Sequence, residues 1–251
     1  MTALMSLDAK LRLARTIVVT GTLGGGETFS RHVADLLEAG ADIVQVRDPQ
    51  ASPTVLREAL ATAQAVALPR NASVAVTSDL ELARDVSADL LVLPAKSTDP
   101  GLAHARLHQY ALVGKSVHDE AGLTAAAADH EVNFALVGPV YLPAGAPFPA
   151  PGLGLVREAA QRMPVFDTQG TPWFATGGID PGTVGEVVEA GARRVSIAVD
   201  SPDDTAAVKQ TADALRLAWV QDPALKSFAF EVFGMGTPSA SLLFAPQPTP
   251  W

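Results

Sequence analysis

The segment Glu38-Ala39-Gly40-Ala41-Asp42-Ile43 recurs later in the chain, almost unchanged, as Glu189-Ala190-Gly191-Ala192-Arg193-Arg194-Val195. Ser87-Ala88-Asp89-Leu90 is a weaker third copy. In each copy a small residue ends a helical pattern, and the chain then turns into a run of apolar residues. Because a β/α barrel repeats one helix-to-strand unit around a closed sheet, this recurrence favours such a barrel.

Outward from these junctions, short apolar runs alternate with longer helical patterns. The predicted strands are 16–20, 43–46, 74–77, 90–93, 111–114, 134–137, 173–175 and 195–199, and the helical patterns between them include 103–109 and 184–190. Continuous apolar runs are typical of parallel strands that are buried on both faces. An open, doubly wound sheet is the alternative, but the count of eight strands favours closure. The sequence therefore predicts an α/β fold, a single-domain (β/α)₈ TIM barrel over residues 1–221.

Composition excludes several classes of protein. Of the 251 residues, 48% are hydrophobic and 18% are charged, which is typical of a compact globular chain. The net charge of −9 leaves no basic face for nucleic acid. No apolar run reaches the ~18 residues of a membrane span, and residues 1–15 lack the pattern of a signal peptide. Cysteine is absent, which excludes disulfides and thiolate metal sites. By default we expect a cytoplasmic protein.

After residue 221 the alternation of strands and helices ends. Segment 222–251 is rich in proline and phenylalanine, with Phe228, Phe230, Phe233, Phe244 and Trp251. A disordered tail is one interpretation, although so many aromatic residues are unusual in disordered chains. We therefore expect an apolar C-terminal extension that packs on the barrel or on a neighbouring subunit, which leaves a homo-oligomer open.

The reacting groups of α/β barrels lie directly after the strands. The candidates at these positions, in chain order, are Gln45, Arg47, Thr77, Lys96, Ser116, His118, Gly138, Gly177, Gly178, Val199 and Asp200. Gln45 and Arg47 stand two residues apart on one strand, so both point to the same side of it. Arg47 is suited to hold a carboxylate or a pyrimidine edge. The alternative for Arg47 is a salt bridge to Asp48 or Asp42.

Gly177-Gly178-Ile179-Asp180-Pro181 has the most direct mechanistic interpretation. Two glycines after a strand let the backbone approach a ligand closely, and Asp180 and Pro181 suit the N-cap and the first position of a helix. Free N–H groups at the start of a helix attract phosphate, and barrels often bind phosphate after strands seven and eight. A tight turn without a ligand is the alternative, and we favour a phosphate site.

Five of these phrases, in this order, resemble the thiamine phosphate synthase/TenI family. They are QVRD at 45–48, LVGKSVH at 112–118, FALVGPVY at 134–141, PGLGL at 151–155 and FATGGI at 174–179. The resemblance runs from about Thr16 to Leu217. It implies a role in thiamine biosynthesis, with a thiazole phosphate or a thiazole–pyrimidine pair as the ligand.

The chain departs from the synthase pattern at the positions that handle metal and pyrophosphate. In the synthase, an Asn-Asp pair after the third strand and an Asp after the fourth do this work, whereas here the positions are Thr77-Ser78 and Lys96. A lysine after the 45–48 motif is replaced by Pro49, and a Thr-Lys pair of the sixth loop is lost within 143–147. Mg²⁺ prefers carboxylates, and a leaving pyrophosphate needs cations. We therefore predict no metal site or cofactor, with Mg²⁺ only if the chain is a synthase with an altered site.

The phrase after the fourth strand is similar to the TenI branch. Thiazole tautomerases of that branch move a proton on a carboxythiazole phosphate, using the histidine that matches His118. Imidazole in general suits this task because it titrates near neutral pH, with an unperturbed pKa of about 6.5, and both gives and takes a proton. Ser116 and Arg47 would then position the substrate carboxylate. The alternative for His118 is a helix-start hydrogen bond beside Asp119.

Three hypotheses follow from the resemblance. A TenI-like tautomerase is favoured, and the alternatives are a synthase with an altered Mg²⁺ site and a non-catalytic member that binds a ligand or a partner. Lys96 is a candidate to supply charge in place of a metal. Val199-Asp200 stands where the family's N–H groups meet phosphate, and a carboxylate there would repel phosphate unless it turned outward.

Overall fold

The computed structural model describes residues 6–97, 99–142, 146 and 149–225. The strands are β1 Thr16–Thr20, β2 Ile43–Val46, β3 Ser73–Thr77, β4 Leu90–Leu93, β5 Leu112–Val117, β6 Phe134–Val137, β7 Trp173–Thr176 and β8 Val195–Val199. Every strand pairs in parallel with the next, and β8 pairs with β1, so the sheet closes. The predicted α/β barrel is therefore confirmed.

Helices connect the strands around the outside of the barrel. They are α1 Leu7–Leu13, α2 Gly26–Glu38, α3 Pro53–Ala67, α4 Leu80–Asp85, α5 Pro100–His104, α6 Glu120–Ala128, α7 Gly152–Arg162, α8 Val184–Glu189 and α9 Thr205–Gln221. No helix in this part of the chain has both the length and the apolar content that a membrane span requires.

Several sequence-based boundaries were wrong, among them those of α5 and β5. The helix predicted over 103–109 is α5, which begins at Pro100 because the Asp99 carboxylate caps it, accepting from Gly101 N at 2.7 Å. Strand β5 runs to Val117 and not to Gly114, so Ser116 lies inside the strand. His118 therefore follows the last strand residue directly.

Successive side chains of each strand alternate between two cores. One core fills the barrel and includes Ile17, Leu90, Phe134 and Phe174, while the other lies between the sheet and the helices. Phe134 packs over Gly114, where an added Cβ would approach the ring to 2.3 Å. The barrel is therefore packed through its middle, and a ligand must sit above this layer.

Helix α1 covers the amino-terminal end of the barrel. Its Leu11 joins the inner core. Behind it, the buried guanidinium of Arg194 donates to the carbonyl oxygens of Arg12 at 2.8 Å and Val165 at 2.9 Å, and lies 5.3 Å from the centre of the Trp219 ring. Since these contacts close one end, the accessible end is the carboxyl edge of the strands.

The first residues of the predicted C-terminal extension pack on the barrel. Asp222 forms an ion pair with Arg193 at 3.0 Å, and Leu225 is buried against Trp219. Residues 226–251, with the phenylalanines expected to pack on the barrel or on another subunit, lie outside the described residues.

Candidate active site

Strand alternation places most of the predicted site residues at one end of the barrel interior. Ala75 and Leu112 belong to the inner core, so Thr77, two residues after Ala75, and Ser116, four after Leu112, share that face. The same alternation places Gln45 toward the interior, while His118 follows β5 directly and is exposed at the mouth. Closure of the sheet then brings residues from β2, β3 and β5 around a single rim.

Gln45 and Thr77 are in direct contact. The buried Gln45 amide donates through Nε2 to Thr77 Oγ1 at 2.7 Å. The other amide atom, Oε1, is buried and has no hydrogen-bond partner within the described part of the chain. A buried acceptor without a partner is costly, so a ligand N–H or O–H at this position would satisfy it.

Arg47 is exposed at the mouth and takes part in no ion pair among the described residues. Both alternative partners are engaged elsewhere. Asp42 accepts the backbone N–H of Arg15 at 2.7 Å, and Asp48 accepts the Thr22 hydroxyl at 2.7 Å and its N–H at 3.2 Å. These hydrogen bonds from Thr22 hold the pKa of Asp48 below its ordinary value. The Arg47 guanidinium is thus available to an anionic ligand.

His118 is held by a carbonyl of the loop after β6. Its Nδ1 lies 2.6 Å from Gly138 O, and a carbonyl oxygen can only accept a hydrogen bond. Nδ1 therefore carries a proton, and in the neutral imidazole Nε2 is left with a lone pair. The helix-start hydrogen bond considered for His118 is absent from the described contacts, because the Asp119 side chain caps α6 itself, accepting from Gly122 N at 2.7 Å.

The loops after β6 and β7 interlock through their glycines. An added Cβ on Gly138 would lie 2.1 Å from Thr176 O, one on Gly177 would lie 2.5 Å from Pro139 Cβ, and one on Gly178 would lie 2.8 Å from Tyr141 Cβ. Gly177 and Gly178 also have φ of +96° and +63°, which favour glycine. The two glycines are therefore required by backbone geometry and packing as well as by any ligand.

Among the described turn and loop contacts, the N–H groups of Gly177 and Gly178 donate no hydrogen bond. Helix α8 begins at Val184, as the pattern over 184–190 predicts, and not at Pro181. Asp180 instead caps the preceding turn, accepting from Gly182 N at 2.8 Å and Thr183 N at 3.0 Å. The donors left for an anion on this loop are the glycine N–H groups and not a helix start.

At the end of β8, the predicted phosphate-binding residues Val199 and Asp200 differ from the glycines of the loop after β7. The Val199 side chain lies in the outer core, so only its backbone faces the mouth. Asp200 is exposed, and its N–H donates to Asp204 Oδ2 at 3.1 Å. Asp204 therefore occupies a donor that the sequence assigned to phosphate.

The residues present do not fit the Mg²⁺ site that the synthase pattern implies. Lys96 is exposed and positively charged, and the Thr77 hydroxyl is bound to Gln45. Asp79 is the carboxylate nearest to Thr77 in sequence. It caps α4, because its side chain accepts a hydrogen bond from Leu82 N at 2.9 Å. The described residues contain no group of three His, Asp or Glu side chains with metal-binding geometry.

Sequence reasoning missed Tyr141, although it lies within the 134–141 motif. Its N–H donates to Gly177 O at 2.9 Å, and its hydroxyl donates to Glu186 Oε2 at 2.9 Å. Burial, with the neighbouring Glu186, raises the pKa of Tyr141 above its ordinary value. Tyr141 thus joins the β6 loop to the β7 loop and to α8.

Comparison with solved structures supports the fold. A thiamine phosphate pyrophosphorylase from Pyrococcus furiosus matches 85% of this chain and 99% of its own with a TM-score of 0.70 at 20% identity. A geranylgeranylglyceryl phosphate synthase from Thermoplasma acidophilum, solved with sn-glycerol-1-phosphate, matches 86% of this chain and 98% of its own with a TM-score of 0.60 at 15% identity. At these identities the likeness concerns the barrel alone.

Comparison of sequences identifies the family, which comparison of structures does not. A thiamine-phosphate synthase from Mycobacterium sp. (strain JLS) is 38% identical over 192 residues, which cover 71% of this chain and 82% of that protein. A thiamine-phosphate synthase from Mycobacterium bovis is 33% identical over 224 residues, covering 84% and 99% respectively. The family model described as thiamine monophosphate synthase, TMP-TENI, matches residues 16–200. This chain is therefore a member of the thiamine monophosphate synthase/TenI family.

Proposed function

We propose that this protein is an enzyme of thiamine biosynthesis that binds a phosphorylated thiazole and transfers a proton on it through His118. The observation that carries the proposal is the hydrogen bond from Nδ1 to Gly138 O, because it fixes the imidazole with Nε2 available as a base. Nε2 accepts a proton from one ligand atom, and the resulting imidazolium returns a proton at another. The reaction is then an isomerisation, with no atom gained or lost.

The other groups of the rim suit binding and orientation. Arg47 has no internal partner among the described residues and is placed to hold a carboxylate with its two-pronged guanidinium. Gly177 and Gly178 offer unpaired N–H groups to a phosphate. Ser116 and the unpaired Gln45 Oε1 offer further hydrogen bonds inside the mouth. Lys96 adds positive charge at the β4 end.

Thiamine-phosphate synthase activity is the second candidate. Its support is that relatives 33% to 38% identical to this chain are thiamine-phosphate synthases. The replacement of the metal-binding residues by Thr77, Ser78 and Lys96 counts against it, since the described residues of the mouth offer no carboxylate set for Mg²⁺. A member that binds a ligand without turnover is the third.

Two assays on purified protein separate these functions. We expect conversion of the carboxythiazole phosphate tautomer in the absence of pyrimidine pyrophosphate, and loss of that conversion in His118→Ala while the ligand still binds. Mg²⁺-dependent formation of thiamine phosphate from the thiazole and pyrimidine substrates would instead establish the synthase. Ligand binding without either reaction would leave the non-catalytic function.

A further inference from the structure

Two backbone N–H groups at the carboxyl end of β8 are bound to a carboxylate of the protein itself. Asp204 Oδ2 accepts from Asp200 N at 3.1 Å and from Ser201 N at 3.0 Å. The Ser201 hydroxyl in turn accepts from Asp203 N at 3.2 Å, so the turn into α9 is closed by reciprocal hydrogen bonds.

The neighbouring loop after β7 is different. Among the described turn and loop contacts, neither Gly177 nor Gly178 donates a hydrogen bond from its N–H group. The loops after strands seven and eight are the usual phosphate-binding corner of α/β barrels. Within the described residues, only the β7 half of that corner has donors that no turn or loop contact occupies.

A ligand phosphate on the β8 half would have to displace Asp204. It would also lie beside two carboxylates, Asp204 and the exposed Asp200, and like charges repel at short range. The Asp204 carboxylate therefore supplies the anion that these N–H groups would otherwise take from a ligand.

We propose that Asp204 is a specificity-determining residue that closes the β8 loop to anions. The ligand phosphate is then held by the β7 loop alone, and the part of the ligand beside β8 is uncharged or donates hydrogen bonds. This refines the proposed function and rests on it only in assuming a phosphorylated ligand.

The test is a titration of ¹⁵N-labelled protein with inorganic phosphate, followed by amide chemical shifts. In the wild type we expect shifts at Gly177 and Gly178 and none at Asp200 or Ser201. Asp204→Ala should tighten phosphate binding about tenfold or more, since hydrogen bonds to charged groups are strong, and should add shifts at Asp200 and Ser201. Asp203→Ala removes the same charge one residue away and should change the affinity by less than about twofold.

Two results would overturn the proposal. One is a phosphate-dependent shift of Asp200 and Ser201 in the wild type. The other is an equal phosphate affinity, or no binding, in both alanine variants. If Asp204→Ala fails to fold, Asp204→Asn keeps a capping oxygen while removing the charge, and we expect a gain of about threefold over Asp203→Asn; equal affinity contradicts the proposal. Absence of proton transfer by the wild type would instead count against the proposed function, and leaves the amide shifts interpretable.

Discussion

The Nδ1 atom of His118 lies 2.6 Å from the carbonyl oxygen of Gly138, which ties the end of β5 to the loop after β6. The same loop packs into the space left by the side chains that Gly177 and Gly178 lack. The imidazole and the free N–H groups of the β7 loop are thus positioned by one segment, Gly138 to Tyr141. Displacement of that segment would disturb the proposed base and the proposed anion donors together.

His118→Asn should separate the structural role of the imidazole from its chemical role. The amide nitrogen of asparagine would occupy nearly the same position as Nδ1 of His118. The hydrogen bond to Gly138 O is therefore kept, while Nε2 is lost. We expect the melting temperature to stay close to that of the wild type and the proton-transfer rate to fall about 10²–10⁴-fold. The exposed His130→Asn is the matched control and should retain full rate. A fully active His118→Asn protein would exclude Nε2 as the base.

Gly178→Ala should destabilise the site loops. The residue has φ of +63°, and its new Cβ would lie 2.8 Å from Tyr141 Cβ. We expect the free energy of unfolding to fall by about 1–3 kcal/mol and phosphate affinity to fall with it. Gly185→Ala in α8 is the control, because an added Cβ there meets nothing within 4 Å. It should be neutral or stabilising by up to about 1 kcal/mol. Urea unfolding measures both, and equal stability of the two variants would contradict the packing argument.

Arg47→Met should impair binding without affecting folding. Since Arg47 is exposed and has no ion pair within the described chain, we expect stability to change by less than about 0.5 kcal/mol. The Michaelis constant for the carboxythiazole phosphate should rise about tenfold or more, because a charge-assisted hydrogen bond is lost. Arg47→Lys keeps the charge but not the planar fork, and should be intermediate. Arg216→Met, at a surface pair on α9, should leave the Michaelis constant unchanged, and an equally unchanged constant in Arg47→Met would remove Arg47 from the site.

Arg194→Met should destabilise the closed end of the barrel. Burial, with the charge of Arg12, lowers the pKa of Arg194 to about 9. The substitution leaves the carbonyls of Arg12 and Val165 without their donor, and we expect a loss of about 1–4 kcal/mol at pH 7.

The lowered pKa of Arg194 determines whether the free energy of unfolding rises or falls with pH. Above pH 9 the folded protein binds one proton fewer than the unfolded chain, so wild-type stability should rise relative to Arg194→Met, by up to about 1.4 kcal/mol per pH unit. Denaturant unfolding of both proteins between pH 7.5 and 10 measures the difference. Parallel profiles would show that Arg194 stays charged in the folded state.

The local sequence pattern was sufficient to predict the architecture. Five of the eight strands, among them β1, β2 and β8, have the predicted bounds because an apolar run buried on both faces leaves a strong signal in a short window. The helix bounds were less accurate. The cap at Asp99 moved the start of α5, because hydrogen bonds of single side chains decide where a helix begins.

The sequence by itself determined the repeated β/α unit, the family resemblance and the residue types at the strand ends. It also pointed to Gln45, Arg47, His118 and the paired glycines, since these stand directly after apolar runs. Only the tertiary structure decided which of their atoms are free. Gln45 is bound to Thr77, His118 to Gly138, and the Asp200 N–H to Asp204. Among the described residues Arg47 has no ion pair, and no turn or loop contact occupies the glycine N–H groups. The physical reason is that hydrogen bonds between groups far apart in sequence depend on closure of the barrel, which no local pattern records.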